Sequence, residues 1–183
     1  MLRRWSCCVT VFLALVFPAS AADSLREHTL LIPGRGILVL SSPVAWSHQI
    51  SQAPEEIAPT IRFSGAAGQK FKVVISAFWS PKSDSSYNSS TKVRSLVDDT
   101  AGELKPRLVE KDIPILALPG GSGPGYYFSA TDKNPGPNEY KYLTQGAIAV
   151  DDLLLTFTVL TKEKRSPMIN RAFEILRSAR RGT

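Results

Sequence analysis

LLLTFTVL, residues 153–160, is apolar on both of the faces that an extended chain presents. Leu153, Leu155, Phe157 and Val159 fall on one side; Leu154, Thr156, Thr158 and Leu160 fall on the other. A strand with one solvated face alternates apolar with polar, so a strand apolar on both belongs in the middle of a covered sheet. Working outward, EYKYLTQGAIAV (139–150) precedes it across Asp151-Asp152, which reads as a hairpin turn. IPILAL (113–118) and YYFSAT (126–131) form another hairpin across the glycine-rich loop Pro119 to Gly125. TIRFSG (60–65) and QKFKVVISAFW (69–79) form a third across Ala66-Ala67-Gly68, with Phe71, Val73, Ile75 and Ala77 as its apolar face. HTLLIP (28–33) and ILVLSS (37–42) form a fourth around Gly34-Arg35-Gly36. Between residues 43 and 59, PVAWSHQISQAPEEIAP holds three prolines and no clean period, and reads as a loop with one short turn.

Two helices complete the pattern. Val93, Leu96, Val97, Thr100, Ala101 and Leu104 recur at helical spacing, and Pro106 closes that helix at or before Lys105. Its start follows SPKSDSSYNSS, whose last serines and Asn88 are good N-caps. The second helix opens with Ser166 as N-cap and Pro167 at the first position, where a missing N–H costs nothing. Ile169, Ala172, Phe173, Leu176 and Ala179 are its apolar stripe, with Arg171, Arg177, Arg180 and Arg181 outside it. Four strands separate the helices. An antiparallel sheet with a helix on each face, an α/β/α sandwich of the α+β class, satisfies both apolar faces of residues 153–160.

The first 21 residues read as a secretory signal: Arg3 and Arg4, an apolar run from about Cys7 to Phe17, then Ala19-Ser20-Ala21 as the cleavage site. The mature chain is expected to begin at Ala22, to form one domain over residues 22–183, and to be periplasmic or secreted. Both cysteines, Cys7 and Cys8, lie in the signal, so the mature chain is expected to have no disulfide and no thiolate. Without Arg3 and Arg4, 20 basic residues stand against 16 acidic ones, a net +4. Residues 161–183 carry seven basic and two acidic side chains, so the basic character is expected in the C-terminal segment and general nucleic-acid affinity is not.

The order of elements, paired strands, a helix, four strands and a terminal helix, resembles the PsbP-like fold family. GYYFSATDK (125–133), YKYLTQGAIAVDDLLLTFTVL (140–160) and INRAFEILRSA (169–179) carry the resemblance. In layout it spans roughly residues 36 to 180; in wording, only the last third. It implies a docking role, since the family's members include a photosystem II lumenal subunit and a nuclear-transport factor that binds a small GTPase. Many exported bacterial members have no assigned role, so the fold supplies an expectation of class and not of partner.

Catalytic readings fail on spacing. His28 and His48 are the only histidines, with no H-E-x-x-H pattern or cysteine beside them, and read as ordinary histidines. His48 beside Ser47 makes no serine-histidine pair, because adjacent side chains point apart. Ser122 fails the nucleophile elbow at Pro124 and precedes a strand where an elbow must open a helix. Asp132, Asn134, Asn138 and Glu139 supply oxygens of the kind calcium takes, but Gly136 and Pro137 break the calcium-loop pattern. Asp98-Asp99 and Asp151-Asp152 are paired in sequence alone and read as solvated or turn residues. Asn88-Ser89-Ser90 is a glycosylation sequon in a eukaryotic source and otherwise a helix cap. No catalytic, cofactor or metal residue is assigned.

What remains is docking. Trp46, Trp79, Tyr87, Tyr126 and Tyr127 stand at expected strand ends and loops, where aromatics either close a core or bind a partner. Arg171, Arg177 and Arg181 join them as candidates for an anionic partner. The expectation is an exported, non-catalytic accessory protein that docks on a protein partner. The alternatives are a hydrolase whose site is not assembled, or weak contact with an anionic membrane through the basic terminal helix.

Overall fold

The structure, a computed structural model, describes residues 24–52, 58–65, 70–80, 84 and 86–182. The signal peptide, its cleavage site, both cysteines and the turn at residues 66–68 lie outside the described residues.

Among the described residues, ten strands and two α-helices follow in the order β1 (Leu25–Ile32), β2 (Gly36–Pro43), β3 (Ser47–Ser51), β4 (Thr60–Ser64), β5 (Phe71–Trp79), α1 (Ser90–Leu104), β6 (Leu116–Ala117), β7 (Gly125–Thr131), β8 (Tyr142–Val150), β9 (Leu153–Thr161), α2 (Pro167–Arg177) and β10 (Arg180–Gly182), with a 3-10 turn at Lys105–Arg107 after α1. Seven strands form one sheet in the order β3-β4-β5-β9-β8-β7-β6, and β1-β2-β10 form a second. Every pairing is antiparallel. The stretch with two apolar faces is β9, the middle strand of the seven. It pairs with β5 from Phe71↔Thr161 to Trp79↔Leu153 and with β8 from Tyr142↔Thr161 to Val150↔Leu153.

Each face of β9 is buried against a different layer. Phe157, Leu155 and Leu153 meet Phe173, Ile175 and Leu176 of α2, together with Leu30, Ile32, Leu38 and Leu40 of the small sheet. On the opposite face Leu154 joins Ala147, Ala149, Phe128 and Ala130 beneath Val93, Val97 and Ala101 of α1. The α+β sandwich with a helix on each side is therefore the observed fold. Helix α1 packs on β7 and β8, so Lys72, Val74, Ser76 and Phe78 of β5 carry no helix above them; Phe78 is 39% exposed. The caps follow local chemistry. Ser166 Oγ accepts a hydrogen bond from the Met168 N–H, whereas Ser89 caps α1 without its side chain.

Three expectations need correction. Residues 47–51, read as loop, are strand β3, which pairs with β4 from Ser47↔Ser64 to Ser51↔Thr60. Its side chains are polar because it is an edge strand with mostly exposed residues, so the hydrophobic pattern that marks buried strands is absent. The terminal helix ends at Arg177, and Arg180, Arg181 and Gly182 turn into β10 to pair with Val39, Leu38 and Ile37 of β2. Gly182 permits this approach: a Cβ there would stand 2.4 Å from Ile37 Cγ1. Finally, the segment IPILAL pairs only at Leu116 and Ala117, opposite Tyr127 and Tyr126.

Candidate functional site at the basic end of the sheet

The aromatic candidates are divided by the sheet. Trp46 is 5% exposed and packs on Phe71 and Phe63, with ring centroids 4.5 and 6.2 Å away. Trp79 packs half-buried against the same core, and Tyr127 lies 4.7 Å from Phe173. Tyr87 and Tyr126 pack on the α1 side instead. The Tyr126 hydroxyl and Ser90 Oγ are hydrogen-bonded at 2.7 Å, and the Arg94 guanidinium sits 5.7 Å above the Tyr126 ring. Trp46, Trp79 and Tyr127 thus close one core, Tyr87 and Tyr126 the other, and the five form no single patch.

The arginine candidates are largely engaged by their own chain. Arg171 Nη1 donates to Glu174 at 2.9 Å. Arg177 Nε donates to the Pro119 carbonyl at 2.8 Å. Arg181, on β10 and not on a helix, donates to the Arg35 carbonyl and pairs with Asp152 at 3.4 Å. Arg177 points outward and is exposed, as expected, while its Nε also holds the loop at 119; the expectation is corrected for Arg181, which lies on β10 and whose guanidinium holds the turn at 35.

The remaining sequence candidates are local. Asp132 Oδ1 accepts from the Asn134 N–H and Glu139 Oε2 from the Gly136 N–H, at 2.9 and 2.7 Å, so these carboxylates brace their own loop. Asn88 Nδ2 donates to the Asp151 and Leu153 carbonyls, which ties the start of α1 to the β8–β9 turn. Asp152 serves Arg35 and Arg181. Ser122 is exposed in the loop before β7. His28 is buried, 2.8 Å from Ser42 Oγ, with the His48 ring centroid 4.3 Å away. Burial above all, then the neighbouring His48 and Arg26 charges, hold His28 below its ordinary value. No group of three or more His, Cys, Asp or Glu residues suited to a metal ion occurs among the described residues. No described helix is long and apolar enough to cross a membrane.

Charge, by contrast, is sharply segregated. Register places the end of β4, the start of β5, the end of β7, the start of β8 and the end of β9 at one end of the large sheet: Ser64↔Lys72, Phe71↔Thr161, Tyr142↔Thr161 and Thr131↔Tyr142. The α1 exit joins them through the Leu108↔Asp132 bridge and the Lys133 N–H to Arg107 carbonyl bond. Residues 62–64, 70–72, 103–112, 131–142 and 161–166 bring eleven basic and six acidic side chains to this end, a net +5. The other described residues carry eight basic and seven acidic side chains. Every ion pair resolved among the described residues lies in that second, balanced set: Arg35–Asp152, Lys92–Asp84, Arg171–Glu174, Arg180–Glu27 and Arg181–Asp152.

Three concavities open onto the basic end. One, of about 320 Å³, lies between Lys70, Lys162, Glu163 and the first turn of α2. Another, of about 150 Å³, is lined by Glu110, Lys164 and Arg165. Burial raises the Glu110 carboxyl, but hydrogen bonds from the Thr131 hydroxyl and N–H outweigh it and leave the group lowered and ionised. The third, of about 240 Å³, lies beside β3 between His48, Arg62, Lys72 and Tyr140. Sequence reasoning missed this gathering because its charges come from five separate segments. The linear excess it found, at residues 161–183, is split by the fold: Lys162, Lys164 and Arg165 join the basic end, while Arg177 closes the far end of α2 and Arg180 and Arg181 lie beyond it.

A seven-stranded antiparallel sheet with helices on both faces and a small sheet against α2 defines a PsbP-like fold. Among solved structures, the chain is similar to the solution structure of cyanobacterial PsbP (CyanoP) from Synechocystis sp. PCC 6803, with a TM-score of 0.52 and 12% identity over 92% of this chain and 99% of that one. At that identity the likeness establishes the fold alone. No protein-family model matches the chain, and no curated protein does.

Proposed function

We propose that this is an exported, non-catalytic accessory protein that docks on an acidic surface of a protein partner through the basic end of its sheet. The supporting observation is the charge segregation: a net +5 gathered at one end, with no resolved ion pair there, on a body otherwise close to neutral. An excess of basic over acidic side chains at one end, with no ion pair resolved there among the described residues, creates a directed field that steers an acidic partner and sets its orientation, which is what docking requires; of the four residues tested below, Lys133 also donates to the Pro106 carbonyl. The reading through the terminal helix is weaker, because Arg177 and Arg181 already serve acceptors of their own chain. Reversing Lys133, Lys162, Lys164 and Arg165 to Glu changes the end from +5 to −3. The mature protein, used as bait in a native envelope extract, is expected to capture a partner that is released by salt. The reversed protein, checked for unchanged melting, is expected to bind the purified partner at least about tenfold more weakly, as charge-pair losses at interfaces do. Equal binding by the two proteins would exclude this end as the docking surface.

A further inference from the structure

Of the three concavities at the basic end, the one beside β3 is the only one without a carboxylate in its wall: the other two contain Glu163 and Glu110. Its polar lining is Ser47, His48, Gln49, Arg62, Ser64, Lys72 and Tyr140, set around Phe63. Strand register explains the convergence. Ser64 stands directly opposite Ser47 on one side and Lys72 on the other, and Arg62, two residues earlier on β4, projects from the same face. Directly paired side chains are about 5 Å apart and diagonal ones about 7–8 Å, well within the reach of an arginine and a lysine. Tyr140 closes the wall from the loop before β8. The nearest carboxylate in sequence, Glu139, is turned into its own loop by the Gly136 N–H. Among the described residues, no hydrogen bond or ion pair resolves to the side chains of Arg62, Lys72 or Tyr140.

From this we infer that the groove between β3, β4, β5 and the Tyr140 loop is a binding site for a phosphate-class oxyanion, free or on a small ester. An arginine fork donates two parallel hydrogen bonds to two oxygens of a tetrahedral anion, and a lysine adds a compact charge to a third. The Ser47, Ser64 and Tyr140 hydroxyls rotate to donate to the remaining lone pairs. His48 lines the rim from β3, on the face it shares with its cross-strand partner Phe63. A concavity of about 240 Å³ is smaller than the roughly 300–1,000 Å³ that drug-sized ligands occupy, so it suits the anion itself or a short ester. Arg62 and Lys72 belong to the same basic end as the docking proposal, but the residues reversed to test docking, Lys133, Lys162, Lys164 and Arg165, do not line this groove, so the two readings fail separately.

Inorganic phosphate is the probe, titrated into the mature protein at constant ionic strength and followed by the NMR signals of the His48 and Tyr140 rings. A saturable shift at these two rings is expected. Arg62→Gln with Lys72→Gln should weaken it at least about tenfold, while the Lys133, Lys162, Lys164 and Arg165 reversal should change it less than about threefold. Matching melting curves establish that the variants fold. A parallel arm adds vesicles containing phosphatidylglycerol. Phosphate binding without vesicle capture makes the ligand a soluble phosphate, and vesicle capture that phosphate competes away makes it a lipid headgroup. Shifts spread over the eleven basic residues, binding that survives the double variant, or no binding of either probe would overturn the site.

Discussion

Replacing Phe157 with Ala tests the reasoning that put β9 in the middle of the molecule. Phe157 is 1% exposed and meets Phe173 of α2 edge-on, with ring centroids 6.1 Å apart. The lost transfer of a buried phenyl ring is about 1.5–3 kcal/mol, and the void left behind raises the cost of Phe→Ala to about 3–5 kcal/mol. The surroundings point to the upper half of that range. On β8 the residue opposite is Gly146, which has no side chain to move into the space. Nor is alanine tolerated at 146 to fill it, because a Cβ would stand 2.2 Å from the Tyr126 carbonyl oxygen and 2.8 Å from Tyr127 Cα, both backbone atoms. On β5 the neighbour is Ile75, which is fully buried and held in the same core. Urea denaturation of the two mature proteins should therefore show a loss of about 4–5 kcal/mol with an unchanged slope, and a melting temperature lower by roughly 8–20 °C. A loss under about 1 kcal/mol is the size of an ordinary surface change. It would mean that the α2 layer does not cover β9, and the assignment of its two faces would fall with it.

Two further outcomes are expected. Because His28 is held below its ordinary value of 6.5, the unfolded chain takes up the extra proton; stability is then full above about pH 6.5 and declines as pH falls below it. The urea midpoint should drop between pH 7.5 and 5, and His28→Gln should shrink that difference; an equal drop in both proteins would remove His28 as its cause. Intact mass of the protein recovered from the exported fraction should correspond to a chain starting at Ala22 with no titratable thiol, and a mass that retains residues 1–21 would rule out cleavage there.

The parts of the fold that were legible in the sequence are those whose side chains carry the pattern. Residues 153–160 declared a central strand because burial on both sides demands apolar residues on both sides. The Ser166-Pro167 start of α2 was legible because capping is local chemistry. Strand β3 was not, since an edge strand draws its backbone partners from β4 and can leave its side chains polar. Strand β10 was not, because Ala179 falls at helical spacing from Leu176 and continues the stripe, while the open edge of β2 is what captures Arg180 to Gly182. Trp46 lay in a stretch without periodicity, and only the approach of Phe63 and Phe71 makes it core. The candidate site was least legible of all. Arg62 and Lys72 are ten residues apart around a hairpin, Tyr140 comes from a distant loop, and local charge windows over each segment are unremarked.

Strand β10 also has a consequence for how the chain is made. Synthesis delivers β1 and β2 first, yet β2 has only β1 beside it until residues 180–182 have emerged. Throughout that interval the outer backbone of Ile37, Leu38 and Val39 is an unprotected template, and a second nascent chain at the same stage offers an identical one. Two such chains pairing edge to edge would satisfy that backbone with each other and occupy the edge that β10 needs. Strand β10 therefore acts as a latch against self-association, and a chain cut after Ala179 should aggregate during folding even though its large sheet is complete.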